Sequence, residues 1–390
     1  MISITNNLAC CGCTACASSC PHGAIRMEPD ALGFQYPRVD ISKCVDCGLC
    51  DSICQFNDKY DISLNLSQPI AYAARHKDIN QIMKSRSGAA FVAISDYIIE
   101  NGGVVYGVGY NDHFRVAHKR ASTKDERDEF RGSKYVQSDL TGVFSRVIED
   151  LNNGFLVLFS GTPCQTSGLK SIVNKQQRSK LYLVDIVCHG VPSPYIWRDY
   201  ISFLEKKRGS TIREVNFRDK EVYGWKKHKE TFKFSKDEKK VNFPYFFYQH
   251  IYFRQSCSVC HYTNLKRPSD ITLADYWGWE RTDPEFNKDN RGCSLVLCNT
   301  EKGLSVFEKV KGRMNTIPAE LDNITQTHLM KPLEMHPHRM KFEQLYIKGG
   351  FEYAVKKMGM MGWRYSFNNV IRKARRMISI MKRRLIPEII

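Results

Sequence analysis

Residues 10–21 read CCGCTACASSCP and place five cysteines within eleven positions. If Cys11 is left out, two residues separate each of the first three cysteines from the next, and three residues separate the third from the fourth. The same spacing returns from Cys44 to Cys54. In this pattern three thiolates from one tight turn bind one 4Fe-4S cluster, and the fourth cysteine ligates the other cluster. The predicted ligand sets are therefore crossed. Set one is Cys10, Cys13, Cys16 and Cys54, and set two is Cys44, Cys47, Cys50 and Cys20.

Two other roles for these cysteines fit the spacing less well. A structural zinc site takes four ligands in two separated pairs, so a packed turn of three cysteines leaves one thiolate over. Disulfide frameworks belong to oxidising compartments, and the chain shows no apolar signal segment. Gln55 stands where a second proline would complete the repeat, which affects the rigidity of the loop and not ligation.

The composition is that of an ordinary globular protein, with 42% hydrophobic and 25% charged residues among 390. No stretch approaches the roughly 18 apolar residues of a membrane span, so we expect a soluble or peripheral protein. Fifteen cysteines without a secretory signal predict metal or redox chemistry in a reducing cytoplasm. The net charge of +17 favours an acidic partner, but bound thiolate-ligated clusters would offset part of it. We therefore expect no nucleic-acid partner.

After DISLNLSQP at residues 61–69, which we predict to be a polar linker, strands alternate with helices as far as about residue 207. AFVAISDYIIENGG has apolar residues at helical spacing before a glycine stop, and VVYGVGY, FLVLFS and LYLVDIV are typical of buried strands. This alternation predicts a mostly parallel sheet with crossover helices. Between residues 211 and about 243 the period shifts towards two, which predicts antiparallel additions.

A third group of cysteines lies in this sheet region. Cys164 follows one predicted strand and Cys188 ends the next, so both lie at carboxyl ends of strands, where ligands gather in open α/β sheets. Cys257 and Cys260 are spaced so that a single turn can aim both at one metal. We call these four residues set three. Their spacing alone leaves open a third 4Fe-4S cluster, a zinc site or a redox dithiol at Cys257 and Cys260, whereas Cys293 and Cys298 are predicted to pack in the core.

Five motifs occur in order between about residues 70 and 330: SRSGAA at Ser85, RGSKYVQS at Arg131, FSGTPCQ at Phe159, VCHGVPSP at Val187 and SDITLADYWG at Ser269. In these motifs the chain resembles the beta-subunit family of coenzyme F420 hydrogenases and dehydrogenases, flavoproteins that include a plant hydroxymethyl-chlorophyll reductase. The resemblance implies an FAD site and a 4Fe-4S cluster held by Cys164, Cys188, Cys257 and Cys260. The two-cluster region looks like an extension of those members that exchange electrons with a separate carrier.

The predicted fold class is thus α/β with α+β parts. A dicluster ferredoxin-type domain at residues 1–60 precedes a mostly parallel, flavin-binding α/β region in two parts, 70–152 and 153–330, with antiparallel additions. A helical basic tail follows at 335–390.

The flavin motifs also make physical sense without the family. SRSGAA opens a predicted helix, where free backbone N–H groups and the helix dipole favour a phosphate, although a plain serine N-cap fits as well. RGSKYVQS offers a cation, an aromatic face and hydrogen bonds, and SGTP a tight turn at a strand end. The predicted cofactor contacts are Ser85, Ser87, Gly88, Ser133, Lys134, Tyr135, Gln137, Ser138, Gly161, Thr162 and Pro163.

The sequence predicts an oxidoreductase that moves electrons between a low-potential carrier, its clusters, FAD and an organic acceptor. His189 is a weak candidate for a proton donor, and a structural histidine is the simpler interpretation. Two rival functions remain: a relay subunit of a larger complex, and a protein whose metals are structural. The acceptor is a coenzyme F420-like molecule or an unknown one.

The last part of the chain bears on the acceptor. Eight basic residues lie between Trp363 and Ile390 against the single acid Glu388, with apolar residues among them. This pattern predicts either a helix that contacts an anionic membrane or a solvated one. Membrane contact at the inner face would favour a lipid-linked saccharide intermediate as the acceptor.

Overall fold

The computed structural model describes residues 2–3, 6–57, 59–237, 239–242 and 246–361. The chain divides into two compact units, Met1–Met335 and His336–Ile390. The basic segment 363–390 lies outside the described residues, so its membrane contact stays a prediction.

The described strands form one large sheet and two small ones. In chain order they are β1 (Ile25–Pro29), β2 (Gln35–Val39), β3 (Asn65–His76), β4 (Val104–Tyr110), β5 (Val116–Ala121), β6 (Val157–Gly161), β7 (Leu181–Ile186), β8 (Ile212–Asn216), β9 (Thr231–Phe234), β10 (Val241–Asn242), β11 (Ile271–Asp275), β12 (Ser294–Thr300) and β13 (Met314–Pro318).

Most helices lie between these strands. In chain order they are α1 (Ala15–Ser19), α2 (Leu49–Ser52), α3 (Ile79–Lys84), α4 (Ala90–Glu100), α5 (Lys124–Asp128), α6 (Val143–Asn152), α7 (Pro163–Lys170), α8 (Lys175–Lys180), α9 (Pro194–Arg208), α10 (Lys220–Tyr223), α11 (Trp279–Thr282), α12 (Glu301–Val310) and α13 (Arg339–Lys357). Among the helices that the structure describes, none combines the length and apolar character needed to cross a membrane.

The large sheet has the strand order β13-β3-β12-β11-β7-β6-β4-β5. Its central strands β4, β6, β7 and β11 run parallel, with Val157 opposite Leu181 and Ile271 opposite Val184. The strands outside this centre pair antiparallel on both sides. The predicted α/β fold with a parallel centre and antiparallel additions is therefore confirmed, and β8, β9 and β10 form their own small antiparallel sheet.

Alternating side chains on the central strands explain why helices cover both faces of the sheet. Val157 and Phe159 pack in one core with residues of α6 and α7, whereas Leu158 packs in another core with residues of α4 and α12. Successive side chains of a strand point to opposite faces, so a strand that is apolar throughout needs cover on both. Cys298 is fully buried in the second of these cores, and Cys293 is fully buried in a further core with Tyr276 and Leu295, so both pack as predicted.

The predicted polar linker is partly wrong. Residues 65–69 form the first half of β3, a strand of 12 residues that pairs antiparallel with both β12 and β13. The polar side chains of this half are half-buried or exposed, so they follow no apolar pattern. The sheet neighbours, which are distant in the sequence, supply the hydrogen bonds that fix the strand.

The cysteine-rich region packs directly on the sheet domain. Its β1–β2 ribbon and the short helices α1 and α2 surround the cysteines, and Ala15 lies in the core formed with α6 and α7. Tyr262 donates a hydrogen bond from its hydroxyl to the Gln55 carbonyl at 2.5 Å. Ser193, at the start of α9, donates to the Leu32 carbonyl at 2.5 Å. The cysteine-rich region and the sheet domain belong to the same compact unit.

Replacing Ser193 with alanine should lower the free energy of unfolding by about 1–2 kcal/mol. The Ser193 hydroxyl also accepts the Ile196 N–H at 3.0 Å, so the change removes both the N-cap of α9 and its link to the cysteine-rich region. Anaerobic urea unfolding measures the effect, and Ser202→Ala on the exposed face of α9 serves as control, with a change within about 0.5 kcal/mol. Equal stability of the two variants would contradict this role.

Candidate redox centre and cofactor cavity

Set one lies beside α7, against Gly168. An ideal Cβ at Gly168 would lie 2.7 Å from the Cys13 sulfur, so only glycine allows this approach. Burial, followed by the neighbouring Cys13, Cys10 and Cys54, raises the pKa of the Cys16 thiol. Cys54 therefore lies next to the first cysteine turn, in the crossed arrangement that the spacing predicts.

Set two lines a single small pocket. Cys20 faces Cys44, Cys47 and Cys50 across it, again in the crossed arrangement. Cys47 is exposed, whereas the other three are half-buried. Set two is thus open to solvent.

Set three lies at the carboxyl ends of two neighbouring parallel strands. Cys164 is the second residue of α7, directly after β6, and Cys188 follows β7. Burial, followed by the charges of Cys257, Cys164 and Cys260, raises the pKa of the Cys188 thiol well above its usual range. The fold therefore brings together four cysteines from three separate segments.

The thiols of all three sets fit thiolate-ligated clusters. Backbone N–H groups donate to cysteine sulfur in each set, from Gly12 to Cys10 at 3.3 Å, from Ile2 to Cys50 at 3.2 Å and from Gly190 to Cys188 at 3.3 Å. Hydrogen bonds to sulfur stabilise bound thiolates and set cluster potentials. Among the described residues, no group of three or more histidine, cysteine or acidic side chains is arranged around a single metal ion.

Cys11, to which the spacing assigns no role, lies buried between set one and set three. Hydrogen bonds to Cys13 and to Cys164, together with burial, hold the pKa of its thiol well above the usual range. One thiol thus contacts a member of each set. Set one and set three are therefore separated by a single side chain at this point.

A buried arginine lies at the same junction. Arg254 is 1% exposed, and its guanidinium donates to the Cys10 carbonyl at 2.9 Å and to the Cys10 sulfur at 3.7 Å. It also donates to the Gln35 carbonyl and the Gln137 side-chain carbonyl, both at 3.0 Å, and lies 4.3 Å from the Tyr36 ring. These acceptors are all uncharged apart from the sulfur. A buried cation needs an anion close by, and Cys10 would supply that anion as the thiolate ligand of a cluster.

A cavity of about 360 Å³ opens at the carboxyl ends of β4, β6, β7 and β11. Gly107 comes from β4, Gly161 from β6, Ile186 from β7 and Asp275 from β11. Cys188 of set three lines it as well. The cavity therefore lies where open α/β sheets bind their ligands, and it touches the third cysteine set.

Eight of the eleven predicted cofactor contacts line this cavity: Ser85, Ser87, Ser133, Lys134, Tyr135, Ser138, Gly161 and Thr162. Gly88, Gln137 and Pro163 do not. The Gly88 N–H donates to the Ser294 hydroxyl at 2.9 Å, and a Cβ there would lie 2.1 Å from the Ala74 carbonyl oxygen, so this glycine serves the close packing of β3 and β12. Gln137 binds the Cys11 carbonyl at 3.1 Å, and Pro163 is the buried first residue of α7.

Three histidines form a hydrogen-bonded chain beside the cavity. His250 Nδ1 lies 2.9 Å from the Glu334 carbonyl, which can only accept, so this nitrogen carries a proton. His250 Nε2 then accepts from His189 Nε2 at 2.6 Å, and His189 Nδ1 accepts from His328 Nε2 at 2.9 Å. Burial, followed by the neighbouring His328 and His250, lowers the pKa of His189 to about 3. His189 is thus neutral near pH 7, and its role as proton donor stays a prediction.

Comparison with known proteins identifies both parts of the chain. Residues 156–321 match the family model for the C terminus of the coenzyme F420 hydrogenase/dehydrogenase beta subunit, and residues 9–57 match the 4Fe-4S dicluster domain. The carboxyl-terminal domain of the beta-subunit family thus follows a 4Fe-4S dicluster domain in this chain. This chain is therefore an iron–sulfur protein of an oxidoreductase family.

A solved structure and the curated proteins were compared as well. A chain of the F420-reducing NiFe hydrogenase complex from Methanosarcina barkeri is 18% identical with a TM-score of 0.47, over 75% of this chain and 92% of that chain. The search of curated proteins gives no match.

Several residues of the candidate site are not predicted by the sequence. They lie between the dicluster domain and the beta-subunit domain or deep in the cavity. Cys11 lies outside the cluster spacing, and Arg254 directly precedes the segment of Cys257 without belonging to a motif. Arg86 lies within SRSGAA, but its charge becomes notable only next to Arg218, which is far away in the sequence. No signal in the sequence pairs these residues.

Proposed function

We propose that this chain is an FAD- and 4Fe-4S-dependent oxidoreductase, with FAD in the cavity of the beta-subunit domain and a third cluster on set three. One observation carries the proposal: Cys188 belongs to set three and also lines the cavity. Thr162 joins the two sites a second time, because it lines the cavity and its hydroxyl lies 3.2 Å from the Cys164 sulfur. A ligand in the cavity would therefore bind next to the third cluster.

When bound, FAD exchanges a hydride for two single electrons, and each cluster carries one electron at a time. The positions of the three cysteine sets suggest the order in which electrons pass through them. Set two is open to solvent at Cys47, set one follows at the β1–β2 ribbon, and Cys11 and Arg254 join set one to set three. We infer that electrons pass through the sets in this order, in either direction, between a carrier and the cavity.

The outer end of this path supports a protein carrier as partner. Ile41 and Val45 are 72% and 60% exposed beside set two, and Leu49 is 38% exposed. Exposed apolar side chains around a redox centre favour transient docking of another protein. We therefore propose that a ferredoxin-like carrier or a partner subunit docks at set two.

At the inner end we propose an organic acceptor. The family description names coenzyme F420, which favours an F420-like molecule. A lipid-linked saccharide intermediate, the second possibility, depends on membrane contact by residues 363–390. Liposome binding by the full chain and by a chain without these residues tests that contact, and equal binding would remove the reason for a lipid-linked acceptor.

Anaerobic turnover separates this function from its rivals. The reductase should accept electrons from a chemical donor, reduce bound FAD and pass hydride equivalents to coenzyme F420 or another acceptor without further subunits. A relay subunit, which the solvent-open set two also fits, should bind FAD but turn over only with its partner. A protein with structural metals should bind no FAD and show no reducible centre, which would contradict the proposal.

FAD affinity should fall as the pH rises from 6 to 8, because Lys134 loses its proton over this range. Burial lowers the pKa of Lys134 to about 7, with Lys119 acting in the same direction and Glu129 opposing it. A lysine with a lowered pKa is charged only below that value, so its attraction for a flavin phosphate is present at pH 6 and lost by pH 8. Fluorescence titration of deflavinated protein measures this, and Lys134→Met should bind FAD more weakly and with a smaller pH dependence, since Lys220, whose pKa is also lowered to about 7, remains. A flat profile in the unchanged protein would contradict the assignment.

A further inference from the structure

The cavity contains more positive charge than its own carboxylate balances. Arg86 and Arg218 both bind Asp275 Oδ2, at 3.3 and 2.6 Å. The other oxygen of Asp275 accepts the Trp225 indole N–H at 3.2 Å. One carboxylate therefore serves two guanidinium groups, and each of its oxygens is already bonded.

Arg218 is buried, with its side chain 5% exposed, and the side chain of Arg86 is 11% exposed. The Nε and Nη1 atoms of Arg86 and the Nε atom of Arg218 are buried and find no hydrogen-bond partner in the described part of the chain. Buried guanidinium donors are normally paired, since leaving them unpaired is costly. Both residues line the cavity, so a ligand bound there would supply partners for these donors.

The charge of Arg86 also acts on two neighbouring bases, Lys220 and His228, and leaves His228 neutral near pH 7. Burial, and then the charge of Arg86, lowers the pKa of Lys220 to about 7 and that of His228 to about 4. The helix α4 starts beside Arg86 without a side-chain cap, and Ala89 and Ala90 at this end line the cavity. Free N–H groups of a helix start and paired guanidinium groups together suit a phosphate, which has several acceptor oxygens.

We propose that Arg86, Arg218 and the start of α4 form a binding subsite for a phosphate ester. This inference rests on the proposed function, because it places a phosphorylated ligand in the flavin cavity. The phosphate has two possible sources, the pyrophosphate of FAD and a phosphate group of the organic acceptor. Both sources present the same phosphate oxygens to the arginines. Asp275 holds both guanidinium groups in place for a phosphate from either source.

Inorganic pyrophosphate is the probe, titrated by calorimetry into the iron-loaded chain without FAD. We expect Arg86→Gln and Arg218→Gln each to weaken its binding at least about tenfold. Arg75→Gln is the matched control, because Arg75 has its own carboxylate in Asp289 at 2.6 Å and does not line the cavity, so pyrophosphate should bind as before. Arg218→Lys keeps the charge, and iron content checks that each variant folds.

A second titration with FAD-loaded protein separates the two sources. Loss of pyrophosphate binding there, with weaker FAD binding by the two variants, would assign the subsite to FAD. Retained pyrophosphate binding with unchanged FAD affinity would assign it to the acceptor. The proposed subsite would be wrong if both variants bound pyrophosphate as tightly as the unchanged protein. It would also be wrong if the unchanged protein bound no pyrophosphate. If the chain takes up FAD but shows no such subsite, the proposed function still holds. If the chain binds pyrophosphate through these arginines but takes up no FAD, only the proposed function is refuted.

Discussion

Replacing Cys257 with serine should lower the iron content from about twelve to about eight per chain, because set three loses one of its four ligands while sets one and two keep theirs. Cys257 lies against Cys260 and Cys164, and burial followed by these neighbours raises the pKa of its thiol to about 12. A buried thiol of this kind is held as thiolate only by a metal. Iron and sulfide quantification with EPR of the reduced protein measures the loss.

The same variant should interrupt electron transfer at one defined point. Electrons from a reduced carrier should still reach the dicluster domain, whereas the flavin should be reduced only by a small chemical donor that enters the cavity. Cys298→Ala is the control, since Cys298 is a buried cysteine that packs in the core of the sheet, so this variant should retain about twelve irons. Twelve irons in Cys257→Ser would contradict the assignment of Cys257 as a ligand of the third cluster.

Replacing Arg254 with glutamine should lower the reduction potential of the cluster on set one. The guanidinium donates to the Cys10 sulfur and is the buried cation beside set one, so it favours the more negative, reduced state. We expect a shift of roughly tenfold in the ratio of oxidised to reduced cluster at fixed potential, or about 59 mV for one electron. Potentiometric titration followed by EPR measures it.

Two further variants make this test specific. Arg254→Lys keeps the charge but loses the forked geometry, so its potential should lie between those of the unchanged protein and the glutamine variant. Arg178→Gln is the control, because Arg178 pairs with Asp270 at 2.7 Å and does not contact set one, so its potential should stay the same. An unchanged potential in an Arg254→Gln protein with all its irons would contradict this role of Arg254.

Much of the fold follows from patterns within single segments. The apolar runs of β4, β6 and β7 and the spacing of α4, α6 and α9 predict a parallel centre, because buried strands and amphipathic helices reveal themselves over a few residues. The crossed cysteine sets are predicted from spacing alone, and as ligand sets they stay a prediction. The first half of β3 does not, since its polar residues join the sheet through pairing with β12, which no local pattern shows.

The candidate site divides in the same way. Gly161 and Thr162 follow a predicted strand and do line the cavity, because the end of a strand fixes their place. The motif of Gln137 predicts a flavin contact, but the fold turns this side chain towards Cys11 and Arg254. The Arg86–Asp275–Arg218 group joins three distant segments, so only the packed structure reveals its unbalanced charge.

The central claim is that three clusters and one flavin share this chain. Anaerobic purification, followed by iron, sulfide and flavin quantification on a single sample, tests it most directly. The account predicts about twelve irons, about twelve sulfides and one FAD per chain, the sum of three 4Fe-4S clusters and a flavin. About eight irons without flavin would confine the redox chemistry to the dicluster domain and contradict the function proposed for the cavity and set three.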